Sequence, residues 1–188
     1  PKTNALIYNL GHVMGRSDLA LSDFTDTGLK RDFKWDLVQS QWIAPEIAGV
    51  AQGPRRVVLE SIVAAYDAIH PALMRLPSQA IHNDVNDYNI LVDGAVSQPL
   101  RISGLIDLGD ICAAPRICNL AIAAAYLLLD TPDPERRLAA LVAGYHAVNP
   151  LSTKEIDLIW PLLQMRLAVS VVNSTLMARD TPDDPYVV

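Results

Sequence analysis

Apolar residues over positions 4–22 fall at Leu6, Leu10, Val13, Met14 and Leu21, three to four apart, a spacing that predicts an amphipathic helix. A polar stretch with one glycine, 25–30, predicts a loop. Asp32 is then placed to cap a short helix through Trp35 and Leu37. Pro45, Gly49, Gly53 and Pro54 bracket a short helical or irregular piece. Positions 55–76 repeat apolar residues at Val58, Ile62, Val63, Tyr66, Ile69, Leu73 and Leu76, predicting a long amphipathic helix with Pro71 as its weak point.

The period then changes. Segment 79–84 is short, with apolar Ala80 and Ile81, 89–92 is short and apolar, 94–99 is turn-like, and 101–107 is rich in β-formers. The last two apolar runs predict a hairpin preceded by an irregular loop. From Arg116 onward the helical pattern returns. Positions 119–129 are almost entirely apolar and predict a helix buried on most sides. A second helix is expected over 133–148, and a third from Ser152 towards Met177, opened by a Ser152-x-x-Glu155 capping box and interrupted in pattern by Pro161. A polar, proline-containing end follows at 181–185. No internal repeat or low-complexity tract is present. The fold class expected is α+β, predominantly α-helical, with one small central β-hairpin.

Composition narrows the partners more than the fold. Of 188 residues, 51% are hydrophobic, enough for one well-buried domain. The net charge of −6 gives no electrostatic reason to expect nucleic acid or an anionic membrane. The longest uncharged apolar run, 117–129, is too short for a span of about 20 residues. Cys112 and Cys118 lack zinc-type spacing and are expected as buried thiols in a reducing, cytoplasmic compartment.

The chemistry concentrates beside the hairpin. The chain reads His82-Asn83-Asp84-Val85-Asn86-Asp87-Tyr88-Asn89, then Ile106-Asp107-Leu108-Gly109-Asp110. Phosphoryl transfer in kinases uses an Asp that takes or orients the acceptor's proton, an Asn downstream that binds Mg²⁺, and a second Asp that bridges the metal ions. The H-x-D-x-x-x-x-N spacing followed by D-x-G matches that set. Neighbouring antiparallel strands lie ~5 Å apart, so Asn89 and Asp107 at the hairpin base can share a metal. Two carboxylates at that distance repel by roughly 3 kcal/mol at an effective dielectric of ~20. A pocket of Asp84, Asp107 and Asp110 therefore favours a divalent cation, and oxygen ligands favour Mg²⁺. The competing reading is an Asx-rich turn with no ligand.

With these residues in view, the chain resembles the aminoglycoside phosphotransferase and choline kinase superfamily. The stretch 102–129, Arg31-Asp32-x-x-Trp35-Asp36-Leu37 and Asp184-Pro185-Tyr186 are similar to hydroxylysine-kinase-type domains, including those fused to a class III aminotransferase. The resemblance implies the C-terminal lobe of a protein-kinase-like fold over 1–188. It implies a catalytic loop at 82–89, a metal motif at 107–110 and a helical substrate region at 116–178. Asp84 would be the catalytic base and Asn89 and Asp107 the Mg²⁺ ligands. His82, Asn83, Asp110 and Asn119 would support them. ATP would be the co-substrate and a small, amine-bearing metabolite the acceptor, with fusion to further domains among the arrangements the family allows. Asn119 departs from the pattern, since many relatives carry an Asp there to tie down the catalytic loop.

Other residues are open to two readings. Trp35 and Asp36 suit an ammonium group, but Trp35, Trp42 and Trp160 equally suit packing. His12, His70 and His146 are expected to be structural. The nine glycines are scattered, and Lys2, Lys30, Lys34 and Lys154 do not lie in strand-like surroundings, so the nucleotide-clamping lobe of a complete kinase is expected to be absent from these residues. A non-catalytic docking module and a metal-dependent phosphohydrolase are the rival functions.

Overall fold

The computed structural model describes residues 2–94 and 100–181. The expected turn at 95–99 and the motif Asp184-Pro185-Tyr186 lie outside the described residues. Helix α1 (Asn4–Ala20) starts where the Thr3 hydroxyl accepts the Leu6 N–H, and it buries Ile7, Leu10, Met14 and also Asp18. Short 3-10 helices follow at Thr27–Leu29 and Leu37–Trp42. The expected cap at Asp32 is corrected to Asp36, whose carboxylate accepts the Val38 N–H at 2.9 Å. The helix signal begins four residues later because Leu37 is the first residue there that the core buries.

After the short α2 (Ile43–Glu46), α3 (Pro54–Leu73) begins with proline in its first turn, where the missing N–H has no helical partner to lose. Pro71 lies inside its last turn, so little helix follows the lost bond. Four strands then form two separate antiparallel pairs. β1 (Ser78–Ile81) pairs with β4 (Cys112–Pro115), Ser78 opposite Pro115 and Ile81 opposite Cys112. β2 (Ile90–Asp93) pairs with β3 (Arg101–Leu105), with the register shifted between Leu91 and Val92. The second pair is the expected hairpin. The first was not legible, because Cys-Ala-Ala-Pro has little β-propensity and gains its pairing from burial.

α4 (Arg116–Leu127) runs through the centre of the molecule, with its residues from Ile117 to Ala125 all buried. α5 (Pro134–His146) starts from Asp133 and lies along α1. α6 (Thr153–Asp180) opens with the capping box between Ser152 and Glu155 and passes unbroken through Pro161 to pack on α3 and α4. Cys112 and Cys118 are buried free thiols. Among the described residues, no helix is long and apolar enough to cross a membrane.

Candidate functional site

The segment joining β1 to β2 enters from the core and leaves into solvent. His82 and Asn83 are 1% and 0% exposed. Asn83 takes a left-handed backbone with φ 65°, which asparagine tolerates better than most residues. The Asp84 N–H donates to His82 Nδ1 at 3.3 Å, so that nitrogen is the acceptor. Nε2 therefore carries the proton and donates to the Ile106 carbonyl at 2.9 Å. The Ile106 N–H in turn donates to the Asn89 carbonyl at 3.0 Å. One histidine and one backbone bond thus lock the 82–89 segment to the residue before Asp107.

Asp84 is gripped from three directions. Asn89 Nδ2 donates to its backbone oxygen and to its carboxylate Oδ2, each at 2.9 Å. Asn86 Nδ2 donates to Oδ2 at 2.9 Å. Arg166 Nη2, from the middle of α6, lies 3.5 Å from Oδ1. Among the described residues, Asn89 Oδ1 accepts no hydrogen bond, so its oxygen is left for another partner. Asp107 stands at the end of the hairpin with φ 64°, exposed, and its carboxylate accepts the Gly109 N–H at 3.1 Å. Partial burial, and after it the charge of Asp84, push the Asp110 carboxyl above its ordinary value. The structure thus brings Asp84, Asn89, Asp107 and Asp110 to one end of the hairpin. Among the described residues, no group of three or more His, Cys, Asp and Glu side chains forms a complete metal cage. Arg31 fastens this corner from afar, its Nη2 donating to the Gly109 carbonyl at 2.8 Å.

Two supporting groups escaped the sequence reading. Arg166 is 3% exposed, stacked 4.5 Å from the Trp35 ring centroid and 5.5 Å from that of Tyr126, to whose hydroxyl it donates at 2.8 Å. A single charge in the apolar middle of α6 was the available signal. The other is Asp18, 0% exposed, lying behind Asn119. Asn119 Oδ1 accepts the Asn83 N–H at 3.1 Å, and its Nδ2 donates to Asp18 at 2.8 Å.

The expected ammonium pair, Trp35 with Asp36, is not built as such. Asp36 is 5% exposed, and its two carboxylate oxygens accept from the Val38 N–H and Gln39 Nε2, so it serves the turn. Trp35 offers a ring face to Arg166 and its carbonyl to Asn83 Nδ2 at 3.2 Å. Trp42 donates to the Lys34 carbonyl, and Trp160 is exposed on α6. His70 and His146 meet the backbone at Val38 and Leu151. A cleft of about 550 Å³ does adjoin the exposed end of the 82–89 segment, lined by Asn86, Asp87, Tyr88, Tyr126 and Asp130, with Lys2 paired to Asp87. A roomier groove of about 790 Å³ between α3 and α6 is mostly aliphatic and holds none of these groups.

Residues 2–156 match a family described as the phosphotransferase enzyme family. The chain is 24% identical to a hydroxylysine kinase of Xenopus laevis over 193 residues, covering 97% of this chain and 52% of that protein. It is also 24% identical to a hydroxylysine kinase of Mus musculus, with 95% and 50% covered. The chain therefore spans about half the length of the curated relatives it matches. Among solved structures, an amicoumacin kinase in complex with AMP-PNP, Ca²⁺ and Ami superposes with a TM-score of 0.65 at 16% identity, covering 93% of this chain and 52% of that one. The GDP complex of an aminoglycoside phosphotransferase mutant gives 0.64 at 17% identity, covering 95% of this chain and 58% of that one. The fold is the one these kinases share.

Proposed function

The chain belongs to the phosphotransferase enzyme family, and from that membership we propose that it carries the acceptor- and metal-binding half of a small-molecule kinase. The reaction is transfer of the ATP γ-phosphate to a hydroxyl of a small, amine-bearing metabolite. The observation that carries the proposal is the environment of Asp84. A carboxylate held by Asn86, Asn89 and Arg166, with one edge left partly open, is oriented before any substrate arrives. Pre-orientation is the main contribution a protein makes to phosphoryl transfer.

In this reading Asp84 aligns the acceptor hydroxyl and takes its proton. Arg166 keeps the carboxylate's charge compensated and fixes its rotamer. Asn89 Oδ1 and the Asp107 carboxylate would hold Mg²⁺. Both are hard oxygen donors, and the remaining positions suit phosphate and water, the mixture Mg²⁺ prefers. When bound, the ion would neutralise charge on the transferring phosphoryl group. His82 acts by tying the loop to Ile106. The cleft beside Tyr88 and Tyr126, with Asp87 and Asp130 on its wall, supports an ammonium-bearing acceptor. The curated relatives named hydroxylysine kinase are consistent with that class.

The test uses the full-length protein with ATP, Mg²⁺ and a panel of hydroxylated amines set against uncharged alcohols. Amines should be the better acceptors. Asp84→Asn should lower kcat by about 10³-fold, within the range for a lost proton acceptor, with nucleotide affinity unchanged. Wild-type-like turnover in that variant would remove Asp84 from its role. The nine glycines are scattered, with no glycine-rich phosphate loop in the sequence, and among the described residues no lysine lies in a strand. By themselves the 188 residues should bind ATP weakly and turn it over slowly.

A further inference from the structure

The 82–89 segment is anchored by an Asn, and an Asn side chain can be held in either of two orientations. One presents Oδ1 to the Asn83 N–H. The other presents Nδ2, setting donor against donor. The observed orientation is the first, at 3.1 Å. Nothing on Asn119 itself enforces it. What does is on the opposite side of the amide, where Asp18 Oδ1 accepts Asn119 Nδ2 at 2.8 Å. Asp18 Oδ2 accepts the Tyr145 hydroxyl at 2.6 Å, and its backbone oxygen accepts Gln79 Nε2, also at 2.6 Å. An ionised carboxylate only accepts, so Asn119 must turn its NH₂ towards it.

We propose that Asp18 is a positioning residue for the candidate catalytic loop: it fixes the orientation of the Asn119 amide and, through it, the backbone of Asn83 next to Asp84. This deepens the function proposed above and rests on it for the consequence in turnover, but not for the geometry. The carboxylate reaches its place because α1 and α5 pack unusually close. A methyl at Gly11 would overlap the Leu141 carbonyl oxygen, and one at Gly144 that of Tyr8. Those glycines let Tyr145 on α5 meet Asp18 on α1. Arg116 on α4, paired with Glu155 on α6 at 2.7 Å, supplies a positive charge that acts to lower the Asp18 pKa. Desolvation nevertheless pushes the Asp18 carboxyl up to about 7. A buried carboxylate is a costly way to fill the core, which is reason to look for what its charge does.

The deciding experiment is a charge swap, done well above that value so that the carboxylate is ionised. In Asn119→Asp alone, two carboxylates face each other, and the Asn83 amide should exchange its hydrogen faster. In Asp18→Asn with Asn119→Asp, Asn at 18 donates to the new carboxylate, whose other oxygen still accepts the Asn83 N–H. Exchange should return towards the wild-type rate. In the full-length kinase, Asn119→Asp should lower kcat by about 10²-fold, the scale of an ångström's misplacement, and the swap should recover most of it, with KM for ATP little changed throughout. A swap no better than Asn119→Asp, in exchange and in kcat alike, overturns the proposal. If the full-length protein transfers no phosphate, Asn83 exchange alone decides it, and only the functional reading fails. A variant that merely repaired folding would restore melting temperature without restoring Asn83 protection, and that result also counts against it.

Discussion

The two ends of the 82–89 segment are built on opposite terms. At the entry, His82, Asn83 and Val85 are at most 1% exposed, and His82 and Asn83 are bonded to the hairpin, to α4 and to the turn before α2. At the exit, Tyr88 is 91% exposed and Asp87 pairs with the solvent-facing Lys2. Asp84 lies at the boundary, its backbone fixed by the buried end and one edge of its carboxylate open. In the proposed function a catalytic group would gain from that position: its geometry would be inherited from the core, while the substrate would be met by side chains whose replacement costs the fold little.

The contrast can be broken hardest at Asp18. Its carboxyl is raised in the folded state, so its contribution to stability is complete below the ordinary value of 3.8 and is lost as pH rises through about 7. The shift corresponds to about 4 kcal/mol at most. Melting curves of wild type and Asp18→Asn should therefore diverge as pH rises from 4 to 8, the variant gaining. Parallel curves would mean that the buried end carries no such charge. Arg166→Leu comes next. Removing the buried partner of Asp84 should cost on the order of 3 kcal/mol in urea unfolding, and full-length turnover should fall with it. An unchanged midpoint would place Arg166 outside the site. The smallest effect belongs to the open end: Tyr88→Ala should change stability by no more than about 0.5 kcal/mol. If the variant shifts KM for the acceptor alone, the division between a fixed entry and a substrate-facing exit is sharpened.

Much of the architecture was legible from local pattern. The 3.6-residue period placed α1 and α3, Thr131-Pro132 signalled the start of α5, Ser152 with Glu155 marked the start of α6, and the apolar run after Arg116 announced the central helix. The hairpin followed from two short β-rich runs around a turn. These are short-range signals, carried by side-chain sequence and backbone sterics. β4 was not legible, because Ala-Ala-Pro forms a strand only when another strand is brought beside it. Nor was the cap at Asp36, which depends on Leu37 reaching the core.

The site divides in the same way. The spacing of His82, Asp84, Asn89 and Asp107 is a property of one contiguous stretch and its hairpin, so the sequence alone determined that these residues meet. It could not determine what holds them. Arg166 reaches Asp84 across 82 positions of chain, and Asp18 reaches Asn119 across 101. Neither separation leaves any periodic trace. Such partners are selected by the packing of α1, α5 and α6 around α4, where desolvation makes a charge meet its partner or forces it to change its protonation. That choice belongs to the tertiary structure, because only there does the dielectric around each group become defined.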